Sequence, residues 1–345
     1  MGAGELDALL VLRPENRRYL SGFTGSAGAV LVDSRRSLLL TDFRYLSQAG
    51  LESPDFELVR VEKTLPETLA GILRGQPDYR LGVEADFITL QQYTAFQEVL
   101  AGVQIKAAPG LVERLREIKD AGEMEILARA AALADQAFKH ILPLIKPGIR
   151  EREVALELEF FMRRAGASGA SFPIIAASGP RSALPHGVAS DRALAPGDFL
   201  ILDFGATVQG YNSDFTRTVV LGRPSRRHRE IYDIVLAAQQ AALSLIRPGV
   251  EAAGADRAAR GVIEGCGYGE YFGHSTGHGL GLAVHESPRL AATDQTVLQE
   301  GMAVTVEPGI YLPNWGGVRI EDMVLVTGNG CRVLTSSPKE KIITL

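Results

Sequence analysis

The stretch FLILDFGATVQGYNSDFTRTVV, residues 199–220, carries two aspartates, Asp203 and Asp214, inside an otherwise apolar alternation. Period-two alternation puts Phe199, Ile201 and Asp203 on one face of a first strand, and Gln209-Gly210 supplies a turn before a second. Because 203 and 214 sum to an odd number, any two-residue turn here leaves both acids on one face. They are then directly opposed, or diagonal neighbours roughly 7 Å apart. For an arbitrary pair of acids, solvation at a hairpin edge would be the default. Here the apolar run weighs against it, since a carboxylate set behind Leu-Ile-Leu costs roughly several kcal/mol to desolvate unless cations or strong donors meet it. The hairpin is therefore expected to hold metal and to find further ligands elsewhere.

Candidates lie downstream. GHSTGHGLGLAVHE carries His274, His278 and His285, AVTVEPGIYL carries Glu307, and VRIEDMVLVT carries Glu321 and Asp322. Each acid again interrupts an apolar strand. Alternation sets Thr305 and Glu307 against Met302, Val304 and Val306, and sets Arg319, Glu321 and Met323 against Val318, Ile320 and Asp322. Four carboxylates and an imidazole make an oxygen-rich site suited to two divalent ions. Without cations, so many converging acids would raise one another's pKa values and destabilise the fold.

The rest of the composition is that of an ordinary globular protein: 345 residues, 46% hydrophobic, 22% charged, net charge −5. The length suggests two domains, and the lack of basic excess argues against nucleic acid as a partner. Cys266 and Cys331 are too few and too far apart for a disulfide framework, which fits a reducing cytoplasm. No basic segment precedes an apolar stretch of signal length at the amino terminus, and no apolar run approaches about 18 residues, so secretion and membrane insertion are disfavoured. Met1-Gly2 opens like a myristoylation motif, but Leu6 stands where that motif needs Ser or Thr.

From Leu6 to about Gly110, short apolar runs (ALLVL, AVLVD, SLLLTD, ELVRVE, LGVEA) alternate with helices from Phe43, Leu65 and Thr89, the rhythm of an α/β sandwich. The glycines of RYLSGFTGSAG read either as a tight turn between a helix end and AVLVD or as a functional loop reaching another subunit's active site. Ala108-Pro109-Gly110 punctuates the chain, so the boundary is placed near residue 112, with domains 1–111 and 112–345. A long helix is expected from Val112 to about Leu144, a second from Glu151 to Gly166, then an apolar strand and a loop bearing His186. The halves 112–222 and 223–345 repeat a plan of helices, a glycine-rich loop with histidines, and acidic strands, which predicts a pseudo-twofold fold.

With these motifs in hand the chain resembles the metallopeptidases of the pita-bread fold, among them methionine aminopeptidase, aminopeptidase P and prolidase. The resemblance covers roughly the whole chain, an α/β N-terminal domain being followed by an α+β catalytic domain. It implies the ligands Asp203 from DFG, Asp214 from NSDFTRT, His278 from TGHGLG, Glu307 from EPG and Glu321 from RIED. It also implies that His186 in PHG and His285 in VHE contact the scissile peptide, while His140, His228 and His274 match no catalytic position. Relatives often carry Glu where this chain has Ala283, which puts the polar contacts beneath the histidine loop in question. The implied activity is removal of an N-terminal residue ahead of proline by two divalent ions, manganese first, with cobalt, zinc or iron as alternatives. Glu307 would double as proton carrier, and Arg319 would orient Glu321 or Asp214. GFTGSAG looks like aminopeptidase P, whereas VHESPR places Arg289 where prolidases anchor a dipeptide's carboxylate. The expectation is an Xaa-Pro aminopeptidase, with a dipeptidase as alternative and a non-catalytic peptide-binding protein as a further one. The resemblance also implies a homodimer.

Overall fold

The computed structural model describes residues 6–76 and 78–345. Met1-Gly2, read against myristoylation above, lies outside them. They fall into two compact units, one running through Arg116 and the other Glu117–Leu345.

The first unit is a six-stranded mixed sheet with helices, in the spatial order β4-β3-β2-β1-β5-β6. Its strands are β1 (Ala8–Val11), β2 (Ala29–Asp33), β3 (Ser37–Thr41), β4 (Glu57–Arg60), β5 (Arg80–Val83) and β6 (Gln104–Ala107). Its helices are α1 (Pro14–Ser21), α2 (Leu46–Glu52), α3 (Leu65–Ile72), α4 (Leu90–Val99) and α5 (Leu111–Glu117). Helix α1 has no counterpart in the apolar pattern, because the residues it buries include Asn16 and Arg17. The Arg17 guanidinium donates to Gly28 O at 2.8 Å and Gly25 O at 2.5 Å, while Gly22 closes α1 at φ 78°, so the glycine-rich segment is a tied turn between α1 and β2.

The expected long helix from Val112 is two helices. Asp120 forms a capping box with Glu123 and starts α6 (Ala121–Ile141) afresh, while Ile118 in the gap bridges to Met302. The D-x-x-E signature of that cap sits within a charged, alanine-rich run that otherwise reads as uninterrupted. After α7 (Glu151–Arg164) come β7 (Gly169–Ala170) and β8 (Ile175–Ser178), then β9 (Phe199–Phe204), β10 (Ala206–Val208), β11 (Tyr211–Asn212) and β12 (Phe215–Val220). Two more helices, α8 (Arg226–Leu245) and α9 (Ala252–Gly265), introduce β13 (Gly277–Gly279), β14 (Glu286–Leu290), β15 (Ala303–Val306), β16 (Gly309–Leu312), β17 (Gly316–Arg319), β18 (Asp322–Thr327), β19 (Gly330–Val333) and β20 (Ile343–Thr344). The helix-pair-then-sheet plan thus occurs twice, once in a sheet ordered β20-β12-β9-β8 and once in β14-β13-β15-β18-β19. An antiparallel bridge between Thr216 and Glu321 links the two. Among the described residues no helix is long and apolar enough to cross a membrane.

Candidate active site

The 199–220 hairpin keeps one register along its length. Asp203 faces Thr216 and Thr207 faces Asn212, around a turn at Gln209-Gly210 whose φ angles are 47° and 78°. Asp214 is therefore the diagonal neighbour of Asp203 on the same face. Between them the hairpin passes from one sheet to another, and the crossing is so tight that a Cβ on Gly205 would lie 1.7 Å from Ser213 O.

The imidazole comes from β13. A Cβ on Gly277 would fall 2.0 Å from Thr305 O and one on Gly279 2.2 Å from Ser287 O, which explains the glycines flanking His278. His278 Nδ1 lies 3.0 Å from Gly279 O, so this nitrogen carries the proton and Nε2 faces the acids, 3.2 Å from Glu307 Oε1 and 3.6 Å from Asp214 Oδ2. Glu307 stands just past β15, accepting from Thr305 Oγ1 at 3.1 Å, and Glu321 stands just before β18, accepting from Thr216 Oγ1 at 2.6 Å. Atoms of Asp214, His278 and Glu321 all lie within 4.8 Å of one another. Glu307 joins this group through His278, whereas Asp203 is held by Arg319 Nη2.

This donor set fits divalent cations. Among the described residues, Asp203 Oδ1 and Glu321 Oε1 are buried and find no hydrogen-bond partner, although buried carboxylate oxygens normally have one. Burial pushes the carboxyl groups of Asp203, Asp214 and Glu321 above their usual range, and repulsion among the acids pushes in the same direction. Burial would depress His278, but Glu307 and Asp214 bring it up to about 9; burial would raise Glu307, but the His278 contact takes it down to about 2. A cluster that must scavenge protons in this way is one built to be neutralised by cations.

Around it lies a cavity of about 380 Å³. His186, His285 and Arg289 line it beside the acids, with Phe172, Pro173, Ile175, Val188 and Val284 as an apolar wall. The His285 ring is 4.4 Å from that of His278, and Arg289 is the strand partner of His278. Arg319 contacts Asp203, which the sequence did not point to, and reaches Glu321, one of the two acids it was expected to orient, through Thr216, which accepts from Arg319 Nε at 3.2 Å. Its Nη1 donates to Tyr311 Oη at 2.7 Å, and Tyr311 Oη lies 2.8 Å from His274 Nε2. His274, set aside on sequence, thus lines the cavity, and Tyr311 was hidden in GIYL as an apolar strand residue.

The family model of metallopeptidase family M24 matches residues 125–328, and that of the creatinase/prolidase N-terminal domain matches residues 1–118. Along its whole length the chain is similar to an Xaa-Pro dipeptidase from Pyrococcus furiosus, with 40% identity over 99% of this chain and 96% of that one. Among solved structures, the Xaa-Pro dipeptidase from Bacillus anthracis superposes with a TM-score of 0.95 at 49% identity, covering 99% of this chain and 95% of that one. An X-Pro aminopeptidase from Thermotoga maritima superposes at 0.91 with 38% identity, covering 99% and 98%.

Proposed function

Since the chain belongs to metallopeptidase family M24 and is a metallo-exopeptidase of the pita-bread fold, we propose that it is an Xaa-Pro dipeptidase. The observation that carries this reading is the end-to-end likeness to proteins named Xaa-Pro dipeptidase, and it reverses the order in which the sequence ranked aminopeptidase and dipeptidase. The cavity of about 380 Å³ supports a small substrate, falling near the lower end of the roughly 300–1,000 Å³ of small-molecule sites.

Asp203, Asp214, His278, Glu307 and Glu321 would hold two divalent ions, manganese first among the candidates. Bound there, the ions would supply Lewis acidity and an activated water. The chain's own residues do the rest. Glu307 accepts the proton of the attacking water and returns it to the leaving proline nitrogen, which has no N–H of its own. His285 donates a hydrogen bond to the carbonyl oxygen as negative charge builds on it. His186 orients the substrate at the proline nitrogen, and the apolar wall packs the ring. Arg319 fixes Asp203 directly and Glu321 through Thr216, so the acids stay in place between turnovers. Arg289 forms a charge-assisted contact with the free carboxylate of a dipeptide, a group that a longer peptide replaces with a neutral amide. A reducing cytoplasm and a homodimeric state complete the proposal, testable by fractionation and light scattering.

The second reading, an Xaa-Pro aminopeptidase, is favoured by the Thermotoga maritima likeness. Metal-loaded enzyme assayed on Xaa-Pro and Xaa-Pro-Xaa separates the two. Faster cleavage of the dipeptide, weakened about tenfold or more by Arg289→Ala with tripeptide cleavage nearly unchanged, is the expected result. Preferential tripeptide cleavage by the unmodified enzyme would replace the dipeptidase reading with the aminopeptidase one, and equal losses in the variant would remove Arg289 from the specificity argument.

A further inference from the structure

Residues 280–285 carry His285 to the cavity without forming helix or strand, so something outside the segment must fix its height. Glu286, backed by Lys119, and Asn212 of the hairpin do so. Glu286 Oε1 accepts from Ala283 N at 2.9 Å, and Glu286 Oε2 faces Lys119 Nζ at 3.2 Å. The side chains of this ion pair are only 1% and 7% exposed. From the hairpin, Asn212 N donates to Gly281 O at 2.9 Å, and its Nδ2 donates to the carbonyls of Gly281 and Leu282 at 3.1 and 3.0 Å. The Glu286 carboxylate presses on Gly281 so closely that a Cβ there would meet both its oxygens at 2.9 Å. Position 283 contributes only its amide to these contacts, which explains how Ala283 serves there. Lys119 is itself fixed in the gap between α5 and α6, its backbone N–H donating to Gly301 O at 2.9 Å.

A buried ion pair is a poor device for stability alone, since apolar side chains of the same volume often do as well or better. What it supplies is direction and distance. Neither Lys119 nor Glu286 lines the cavity, and the reaction as read above uses neither. We propose that Lys119 and Glu286 are positioning residues for His285, a strut from the start of α6 that sets where the imidazole meets the substrate carbonyl. This rests on His285 acting at that carbonyl.

The test is a double-mutant cycle on metal-loaded enzyme with an Xaa-Pro dipeptide. K119M should lower kcat by about ten- to a hundredfold, since small misplacements cost that much, while KM and metal content stay within about twofold. K119R should restore most of the loss, and K119M should add nothing further to H285A. An equal further loss in the H285A background, or a loss confined to KM, would overturn the proposal. Amide hydrogen exchange over residues 281–286 gives an independent reading and should quicken in K119M but not in H285A. If H285A leaves kcat intact, the role assigned to His285 falls, and unchanged exchange in K119M would then overturn the strut as well. Should K119M fail to fold, E286Q, which keeps the acceptor for Ala283 N, carries the same cycle.

Discussion

Glu151 is fully buried at the start of α7, and five hydrogen bonds converge on its carboxylate. Ser178 N and Oγ donate to Oε1 at 2.8 and 2.7 Å, while Arg181 Nε, Ser190 N and Ser190 Oγ donate to Oε2 at 3.0, 3.0 and 2.6 Å. The segment between those serines carries His186, so one acid holds both ends of that loop. Burial pushes the Glu151 carboxyl upward, but the serines and Arg181 more than offset it and leave it below its ordinary value of 4.5. A depressed folded-state value means that the contribution to stability is whole above pH 4.5 and is lost as pH falls through the folded value. Glu151→Gln is expected to cost about 2 kcal/mol at pH 7, in line with charged hydrogen bonds, with the gap from the unmodified chain narrowing in acid. Urea midpoints at pH 7 and pH 4 measure it; a gap constant with pH would mean that Glu151 acts through shape rather than charge.

The hairpin formed by β9 to β12 sets both aspartates, and its weakest tolerance is at the sheet crossing. Gly205→Ala would drive a methyl into Ser213 O, a backbone atom without freedom to yield. The expected cost is about 2–3 kcal/mol, with metal binding weakened as Asp203 and Asp214 lose their spacing. Denaturant midpoints and metal titration read both effects, and an unaltered midpoint would show that the crossing relaxes freely. The aspartates' shared face was legible beforehand because strand parity and a Gln-Gly turn are local properties that two residues fix. The acids' places were legible for a similar reason, each interrupting an apolar strand, but the choice of His278 among three neighbouring histidines and of Glu321 over Asp322 rested on the family resemblance. Tyr311, Thr216 and Thr305 were not legible. As ordinary strand residues they carry no local mark, and their hydroxyls meet Arg319, Glu321 and Glu307 only once separate strands are brought together. The split between α5 and α6 was missed for the opposite reason, since one capping box outweighed a helical composition spanning it. At the first unit, α1 was unreadable by periodicity because its buried face is polar.

Across the whole molecule, the buried acids are expected to make stability depend on ion occupancy. Chelation should abolish hydrolysis and lower the Tm, and manganese should restore both. At an ion concentration a hundred times Kd, linkage supplies about 2.7 kcal/mol per site, worth roughly 5–10 °C for a unit of this size. Scanning calorimetry of stripped and reloaded protein measures it, and a Tm indifferent to chelation would separate the acid cluster from metal binding. The bridge from Thr216 to Glu321 gives that dependence a further meaning. Asp203 and Asp214 belong to one half of the duplicated plan, and His278, Glu307 and Glu321 belong to the other. The halves meet at exposed Arg223, just after Gly222, whose N–H donates to Leu345 O at 2.6 Å. A polypeptide opened at that link becomes a two-piece assembly in which β20 of the second fragment lies against β12 of the first. The ions then act as a ligand shared across the seam, so divalent cations should tighten complementation of the two fragments and a chelator should drive them apart.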